Sequence, residues 1–107
     1  MKSYTDLEQS KKLMEFLPIE SADMRYAPFG DTHPWIWDGK LLEKCSIPAW
    51  SLSALLKVIG SYTMQTVSDG CFIVADLGEK AIMSKVCDEP LDACCDLIYV
   101  LHKNRLI

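Results

Sequence analysis

The chain has 107 residues, of which 50% are hydrophobic and 24% charged, and its formal net charge is −4. This length predicts a single domain over residues 1–107, since domains cluster at about 100–150 residues. The apolar fraction excludes an intrinsically disordered chain. The negative charge argues against a nucleic-acid-binding protein that works through a basic surface.

The cysteine spacing and the length of the apolar runs indicate the cellular compartment of the protein. Five cysteines are an odd number and none forms a Cys-x-x-Cys pair, which argues against a disulfide scaffold or a zinc knuckle. The N-terminus lacks a signal-peptide pattern, and the longest uncharged run, residues 45–56, is too short to span a bilayer. We therefore expect a cytoplasmic protein with reduced thiols and no membrane contact.

The first predicted element is a helix over residues 6–17. Thr5 and Glu8 have the spacing of a capping box, and Pro18 ends the helix because the residue before a proline avoids the α region. Apolar positions at helical spacing predict its buried stripe, which comprises Leu7, Ser10, Leu13, Met14, Phe16 and Leu17.

Residues 19–50 form the irregular part of the sequence, with a short strand predicted at residues 24–26. Asp38-Gly39 between apolar neighbours predicts a tight hairpin, because a type I′ turn needs positive φ at both central positions. The pairs in this hairpin would be Trp35 with Leu42 and Trp37 with Lys40.

A second helix is predicted to open at residues 48–51, with Ser51 as its N-cap. Gly60 stands where a C′ residue with a left-handed backbone belongs. The apolar stripe of this helix would be Leu52, Leu55, Leu56 and Ile59.

Two tight turns follow. Residues 68–71 predict a two-residue hairpin turn between strands near 62–68 and 71–77, and Gly78 predicts a second turn of type II′. The strands would build a clean inner face from Tyr62, Met64, Ile73, Ala75, Ile82 and Val86. The outer face would be mixed, with Gln65, Val67, Phe72, Val74, Asp76, Met83 and Lys85.

The last predicted element is a helix that Asp88 caps and that carries Pro90 in its first turn. Acidic residues at its start and basic residues at its end complement the helix dipole. Its inner stripe would comprise Leu91, Cys94, Cys95, Ile98, Leu101 and His102.

These elements predict an α+β fold. Tight turns join neighbouring strands, and helices and strands do not alternate strictly, which is typical of an antiparallel sheet rather than a parallel one. We expect a sheet of three to five strands with about three helices packed mainly on one face.

Three segments carry a resemblance to a known group of proteins: residues 4–24, residues 47–56 and residues 89–94. Together they resemble small uncharacterised proteins found in phage-like and other mobile elements of gut Bacteroidales bacteria. The resemblance covers nearly the whole chain, with residues 28–45 the most variable part. It implies a bacterial cytoplasmic setting on mobile DNA and carries over no catalytic or binding residue.

Catalytic and metal-binding candidates are weak. His33, with Asp31 nearby and Cys45 further along, could supply a Cys–His pair, but two histidines and five cysteines make some such pairing inevitable, and a solvated loop histidine is the favoured interpretation. A metal site from Cys87, Cys94, Cys95 and His102 is disfavoured, because adjacent cysteines on a helix point about 100° apart. The sequence therefore predicts no catalytic residue, no metal ligand and no cofactor.

A tryptophan cluster is the most distinctive feature of the sequence. Trp35, Trp37 and Trp50 fall within sixteen residues, beside Tyr26, Phe29 and His33. Such a group is either a lid that closes one end of the core or an exposed recognition patch. If it is a patch, its binding residues are Tyr26, His33, Trp35, Trp37 and Trp50.

The leading functional hypothesis is a small non-catalytic module that binds a protein partner or a second copy of itself. Its binding surface would be the tryptophan cluster or the mixed sheet face of Phe72, Val74 and Met83. The alternative is a small enzyme or small-ligand binder that uses the Cys, His and Asp residues at 31–45. We expect no nucleic-acid partner, no membrane and no obligatory small molecule.

Overall fold

Three α-helices and two antiparallel three-stranded sheets make up residues 2–26, 34–36 and 47–107, the part of the chain that the computed structural model describes; for residues 35 and 36 this is the backbone alone. The predicted α+β class is confirmed. The strands are divided between two sheets rather than joined in one. The predicted hairpin at residues 35–42 lies largely outside the described residues.

The helices and strands follow in this order: α1 (Leu7–Leu13), β1 (Met24–Tyr26), β2 (Trp35–Ile36), β3 (Ile47–Ala49), α2 (Leu52–Ile59), β4 (Tyr62–Val67), β5 (Gly70–Asp76), β6 (Ala81–Met83) and α3 (Pro90–Lys103). A short 3₁₀ helix, Ile19–Ser21, lies between α1 and β1. The chain forms two compact units, one within residues 3–54 and one from Lys2 and residues 55–107. That the chain is one domain stays a prediction.

In the first unit, β1 is the central strand of the sheet β2-β1-β3. Both pairings are antiparallel, with Arg25 opposite Trp35 and opposite Pro48. The strand predicted at residues 24–26 is therefore confirmed. Helix α1 packs against β3, and the buried apolar residues of this unit are Leu13, Leu17, Ala22, Tyr26, Ala49, Trp50 and Ala54.

The capping box of α1 is shifted by one residue from the predicted position. Asp6 is the N-cap: its carboxylate accepts from the Gln9 amide at 2.7 Å, and the Gln9 side chain accepts from the Asp6 amide at 3.1 Å. Thr5 is fully buried instead, and its hydroxyl lies 2.7 Å from that of Ser10. The prediction failed because Thr5 finds buried partners, which leaves the cap to its neighbour. The helix also ends earlier than predicted, and Leu7 and Met14 are exposed.

Ser51 caps α2 as predicted, since its hydroxyl accepts from the Ala54 amide at 3.2 Å. Asp23, the residue before β1, holds Ser51 in this position, because its carboxylate accepts hydrogen bonds from both the amide and the hydroxyl of Ser51. Residues 47–49 form β3 rather than the start of the helix. Gly60 has φ +84°, which confirms the predicted C′ position.

In the second unit, β5 is the central strand of the sheet β4-β5-β6. Met64 lies opposite Ile73, and Ala75 lies opposite Tyr62 on one side and Ile82 on the other. Buried and half-buried residues alternate along β5, with Cys71, Ile73 and Ala75 buried. The pairings therefore confirm which residues share each predicted face, and α3 packs against β5 and β6. Tyr62 differs from the prediction, because it lies on the inner face and is still exposed by 42%.

The first hairpin turns one residue earlier than predicted. Val67 pairs with Gly70, so the turn residues are Ser68 and Asp69, and Gly70 is the first residue of β5. The second hairpin matches its prediction: Gly78 has φ +86°, and the Leu77 amide donates to the Lys80 carbonyl at 3.0 Å.

A β-bulge follows β6. Ser84 pairs with Ile73 and Cys87 pairs with Cys71, so Lys85 and Val86 together lie opposite a single residue of β5. The extra residue changes the alternation, which is why Val86 is exposed rather than on the inner face as predicted. The Lys85 amide is satisfied by Asp96, whose carboxylate accepts from it at 2.9 Å.

Helix α3 begins at Pro90, with Glu89 rather than Asp88 as the N-cap. Proline at the first helical position holds the residue before it in an extended conformation, and Glu89 has φ −121° and ψ 139°. The predicted inner stripe is buried except for His102, which is exposed. Ala93 and Leu97 are also buried, so the buried face of the helix is wider than the stripe.

Candidate functional site

Two members of the tryptophan cluster are core residues. Trp50 has an exposed fraction of 0% and its indole N–H donates to the Ser21 hydroxyl at 2.9 Å. Tyr26 has an exposed fraction of 6% and its hydroxyl donates to the Thr5 carbonyl at 2.7 Å. Both side chains are therefore part of the buried core of the first unit.

The other members of the cluster cannot be placed as side chains. Trp35 lies in β2, and only its backbone is described. Trp37, His33 and Phe29 lie outside the described residues, as do Asp31 and Cys45 of the alternative enzyme hypothesis. Binding through His33, Trp35 and Trp37 stays a prediction.

Burial raises the pKa of three of the described thiols. None of the four described cysteines, Cys71, Cys87, Cys94 and Cys95, forms a disulfide. Burial raises the pKa of Cys94 to about 12. Burial, and to a smaller extent neighbouring carboxylates, raises the pKa of Cys71 and that of Cys87, where Asp96 is the carboxylate with the largest effect. Because the thiolate is the nucleophile and the metal ligand, these positions do not favour thiol chemistry.

The metal site that the sequence disfavours would use Cys87, Cys94, Cys95 and His102, all of which lie within the described residues. No group of three or more His, Cys, Asp or Glu side chains among the described residues is placed to hold a metal ion. Cys94 and Cys95 are both buried while His102 is exposed at the other end of α3.

The mixed outer face of the second sheet is only partly open. Phe72 and Val74 are half-buried, whereas Met83 is exposed by 55%. Met83 lies directly opposite Val74. This face is a small apolar strip, flanked by the exposed Gln65, Asp76 and Lys85.

Strand β4 forms an edge of the same sheet and is its most open element. Within the described residues it has a strand neighbour on one side only, β5. Five of its six residues are exposed and Met64 is half-buried. Its sequence, Tyr-Thr-Met-Gln-Thr-Val, contains no charge, no glycine and no proline. Natural edge strands are usually protected by lysine, proline, a bulge or very short length, and β4 has none of these features.

The hydrogen-bonding groups of β4 alternate in a defined way. The Asp76 amide donates to the Ser61 carbonyl at 3.0 Å, which makes Ser61 and Asp76 a hydrogen-bonded pair. In an antiparallel ladder such pairs recur every second residue, so Thr63, Gln65 and Val67 bond to β5. The amides and carbonyls of Tyr62, Met64 and Thr66 therefore point away from β5, along the open edge.

A pocket lies at the turn end of β4. It has a volume of about 340 Å³ and is lined by residues 66–68, Gly70, Cys71, Asp88 and Pro90. The hairpin supplies one wall and the start of α3 supplies the other. The pocket thus adjoins the last outward-facing residue of the edge, Thr66.

The start of α3 is acidic, and part of its charge is neutralised within the chain. The Lys2 ammonium lies 2.9 Å from the Asp92 carboxylate, and the Lys2 amide donates to the Glu89 carboxylate at 3.2 Å. Asp88 lines the pocket and lies outside this ion pair. The pocket therefore combines a carboxylate with the apolar surface of Pro90.

Sequence reasoning identified β4 as a strand but missed it as a site. Strand order depends on pairings between distant residues, so an edge cannot be read from periodicity. The available signal was a negative one: residues 62–67 form an uncharged β-prone run without any of the residues that protect edges.

Comparison with known proteins found no matching family model, no matching curated protein and no matching solved structure. Of the helices in the described part of the chain, none has the length and apolar character needed to cross a membrane.

Proposed function

We propose that the protein is a non-catalytic interaction module that binds an extended protein segment along the edge of β4. The observation that carries the proposal is the row of outward-facing amides and carbonyls at Tyr62, Met64 and Thr66 on an exposed, uncharged strand. Strand addition to such an edge is a common mode of peptide recognition, in which main-chain hydrogen bonds supply affinity.

Specificity in this mode comes from pockets for alternate side chains. The pocket at the turn end of β4 has this role here, because it lies beside Thr66 and is lined by apolar surface and the Asp88 carboxylate. A side chain that enters it combines an apolar body with a hydrogen-bond donor at its tip. The chemistry of the site suits recognition rather than catalysis, because the raised pKa values of Cys71 and Cys87 favour the unreactive neutral thiol.

The proposed setting of this module is the bacterial cytoplasm. The absence of a disulfide among the four described cysteines suits a reducing compartment such as the bacterial cytoplasm. The resemblance to proteins of mobile elements agrees with this, and a protein partner rather than nucleic acid agrees with the net charge of −4.

The proposal is tested by replacing Met64. Proline at an edge position whose amide faces outward leaves the ladder to β5 intact, yet removes a donor and places a ring in the path of an added strand. Peptides selected from a displayed random library on the wild-type protein should bind Met64→Pro about tenfold or more weakly. Met64→Ala is the matched control, because it removes the same side chain and keeps the amide.

The binding constants decide the proposal. Peptides that bind wild type and Met64→Ala, and lose affinity for a folded Met64→Pro, support the edge as the site. Peptides that bind Met64→Pro as tightly as wild type contradict it. If their affinity falls in Met83→Ser instead, the outer sheet face is the binding surface.

A further inference from the structure

We infer that the strand that pairs with β4 is β4 of a second copy of this chain, in an antiparallel register centred on Met64. This inference rests on the proposed function and names its partner. It joins the two three-stranded sheets into one continuous sheet of six strands across a two-fold axis.

The outward-facing groups of β4 are complementary to themselves in this register. Tyr62 lies opposite Thr66 of the second copy, Met64 lies opposite its own equivalent, and Thr66 lies opposite Tyr62 of the second copy. All three positions carry outward-facing groups, so each pair exchanges two hydrogen bonds. A two-fold symmetric interface requires this kind of self-complementary surface.

The faces of the two sheets also agree. Tyr62, Met64 and Thr66 lie on the same face as Ile73 and Ala75. Residues directly opposite each other in an antiparallel pair share a face. The inner faces of both copies therefore lie on the same side of the joined sheet, and each copy keeps its α3 on that side.

The pocket beside Thr66 supplies an independent reason for this partner. Tyr62 is exposed by 42%, and in the proposed register the Tyr62 of the second copy lies next to Thr66 at the mouth of the pocket. A tyrosine matches the pocket chemically, because its ring can pack against Pro90 and its hydroxyl can donate to the Asp88 carboxylate. Because the dimer is two-fold symmetric, Tyr62 of each copy enters the pocket of the other copy.

Charge does not oppose the pairing at the edge itself. Each chain carries a net charge of −4, which disfavours self-association at long range. The paired strands contain no charged residue, so no like charges face each other in the ladder.

Charge substitutions at Tyr62 and Thr66 test the register. Both side chains are exposed, so their replacement should leave the fold intact. In Tyr62→Lys/Thr66→Lys, two lysines face each other twice across the interface, and in Tyr62→Glu/Thr66→Glu two glutamates do. We expect the wild type to dimerise, each double variant to dissociate with a constant roughly tenfold or more higher, and an equimolar mixture of the two variants to form a heterodimer.

Light scattering over protein concentrations from about 1 μM to about 1 mM reads the result. Ala81→Lys/Met83→Lys is the matched control, because it adds the same charges at exposed positions of β6, the strand at the opposite edge of the sheet, and it should dimerise as the wild type does. The inference is overturned if the wild type stays monomeric, if the lysine variant dimerises as the wild type does, or if the mixture does not associate. A monomeric wild type that still binds selected peptides at β4 overturns the second copy alone and leaves the proposed function standing.

Discussion

Gly70 determines where the first hairpin ends, and the reason is a close approach of two backbones. Its φ is +143°, a conformation that other residues rarely adopt. A Cβ built on Gly70 would lie 2.1 Å from the Cys87 carbonyl oxygen. That carbonyl accepts from the Cys71 amide at 2.8 Å, and the Cys87 amide donates back at the same distance. The residue therefore permits the bridge that continues the sheet beyond β6.

Replacement of this glycine should be costly. We expect Gly70→Ala to lower the free energy of unfolding by about 2–5 kcal/mol, from backbone strain and from overlap with a carbonyl that is fixed by two hydrogen bonds. Gly78→Ala is the control, since Gly78 has φ +86° but nothing within 4 Å of an added Cβ. Its cost should be the conformational one alone, about 1–2 kcal/mol. Equal losses in chemical denaturation would contradict the close approach at Gly70.

Local sequence signals failed where a distant partner competed for the same residue. Thr5 and Glu8 had the spacing of a capping box, but the Thr5 hydroxyl accepts from the Trp50 amide at 3.0 Å, and Asp6 took the cap. Asp69-Gly70 suggested the turn, but Gly70 was needed opposite Val67 and against Cys87. In each case the residue type was right for the role and the position was wrong by one.

Strand β5 shows what a sequence does predict at the scale of an element. Its alternation of buried and half-buried residues follows from the two-residue period of a strand. A shift of one residue in the turn changed which residues lie opposite each other, but the pairs still joined residues of the same face. The predicted faces therefore survived an incorrect turn, whereas the bulge at residues 85–86 moved Val86 to the surface.

The two faces of the sheet should differ sharply in their sensitivity to truncation. Ile73 is fully buried, so Ile73→Ala should lower the free energy of unfolding by about 2–5 kcal/mol. Met83 lies on the outer face and is exposed by 55%. Met83→Ala should therefore change the free energy of unfolding by about 0.5 kcal/mol or less. Urea denaturation of both variants measures the difference. A midpoint for Ile73→Ala equal to that of the wild type would contradict the assignment of the inner face.

At the scale of the whole molecule, the fold class was predictable and the candidate site was not. Turn residues and apolar periods are local, and they were sufficient to predict α+β. The composition of the tryptophan cluster suggested either a lid on the core or a recognition patch. In the structure, the polar atoms of Tyr26 and Trp50 form hydrogen bonds within the first unit, to the Thr5 carbonyl and the Ser21 hydroxyl. The edge position of β4 can be recognised only once the order of the strands in the sheet is known.

Residue-resolved hydrogen exchange along β4 tests the open edge most directly. At concentrations where the chain is monomeric, the amides of Thr63 and Gln65 should be protected by their bonds to β5, and those of Tyr62, Met64 and Thr66 should exchange rapidly. When the concentration is raised, the second set should gain protection while the first set changes little. Protection of all five amides in the monomer would contradict the claim, because it would mean that the edge is already covered.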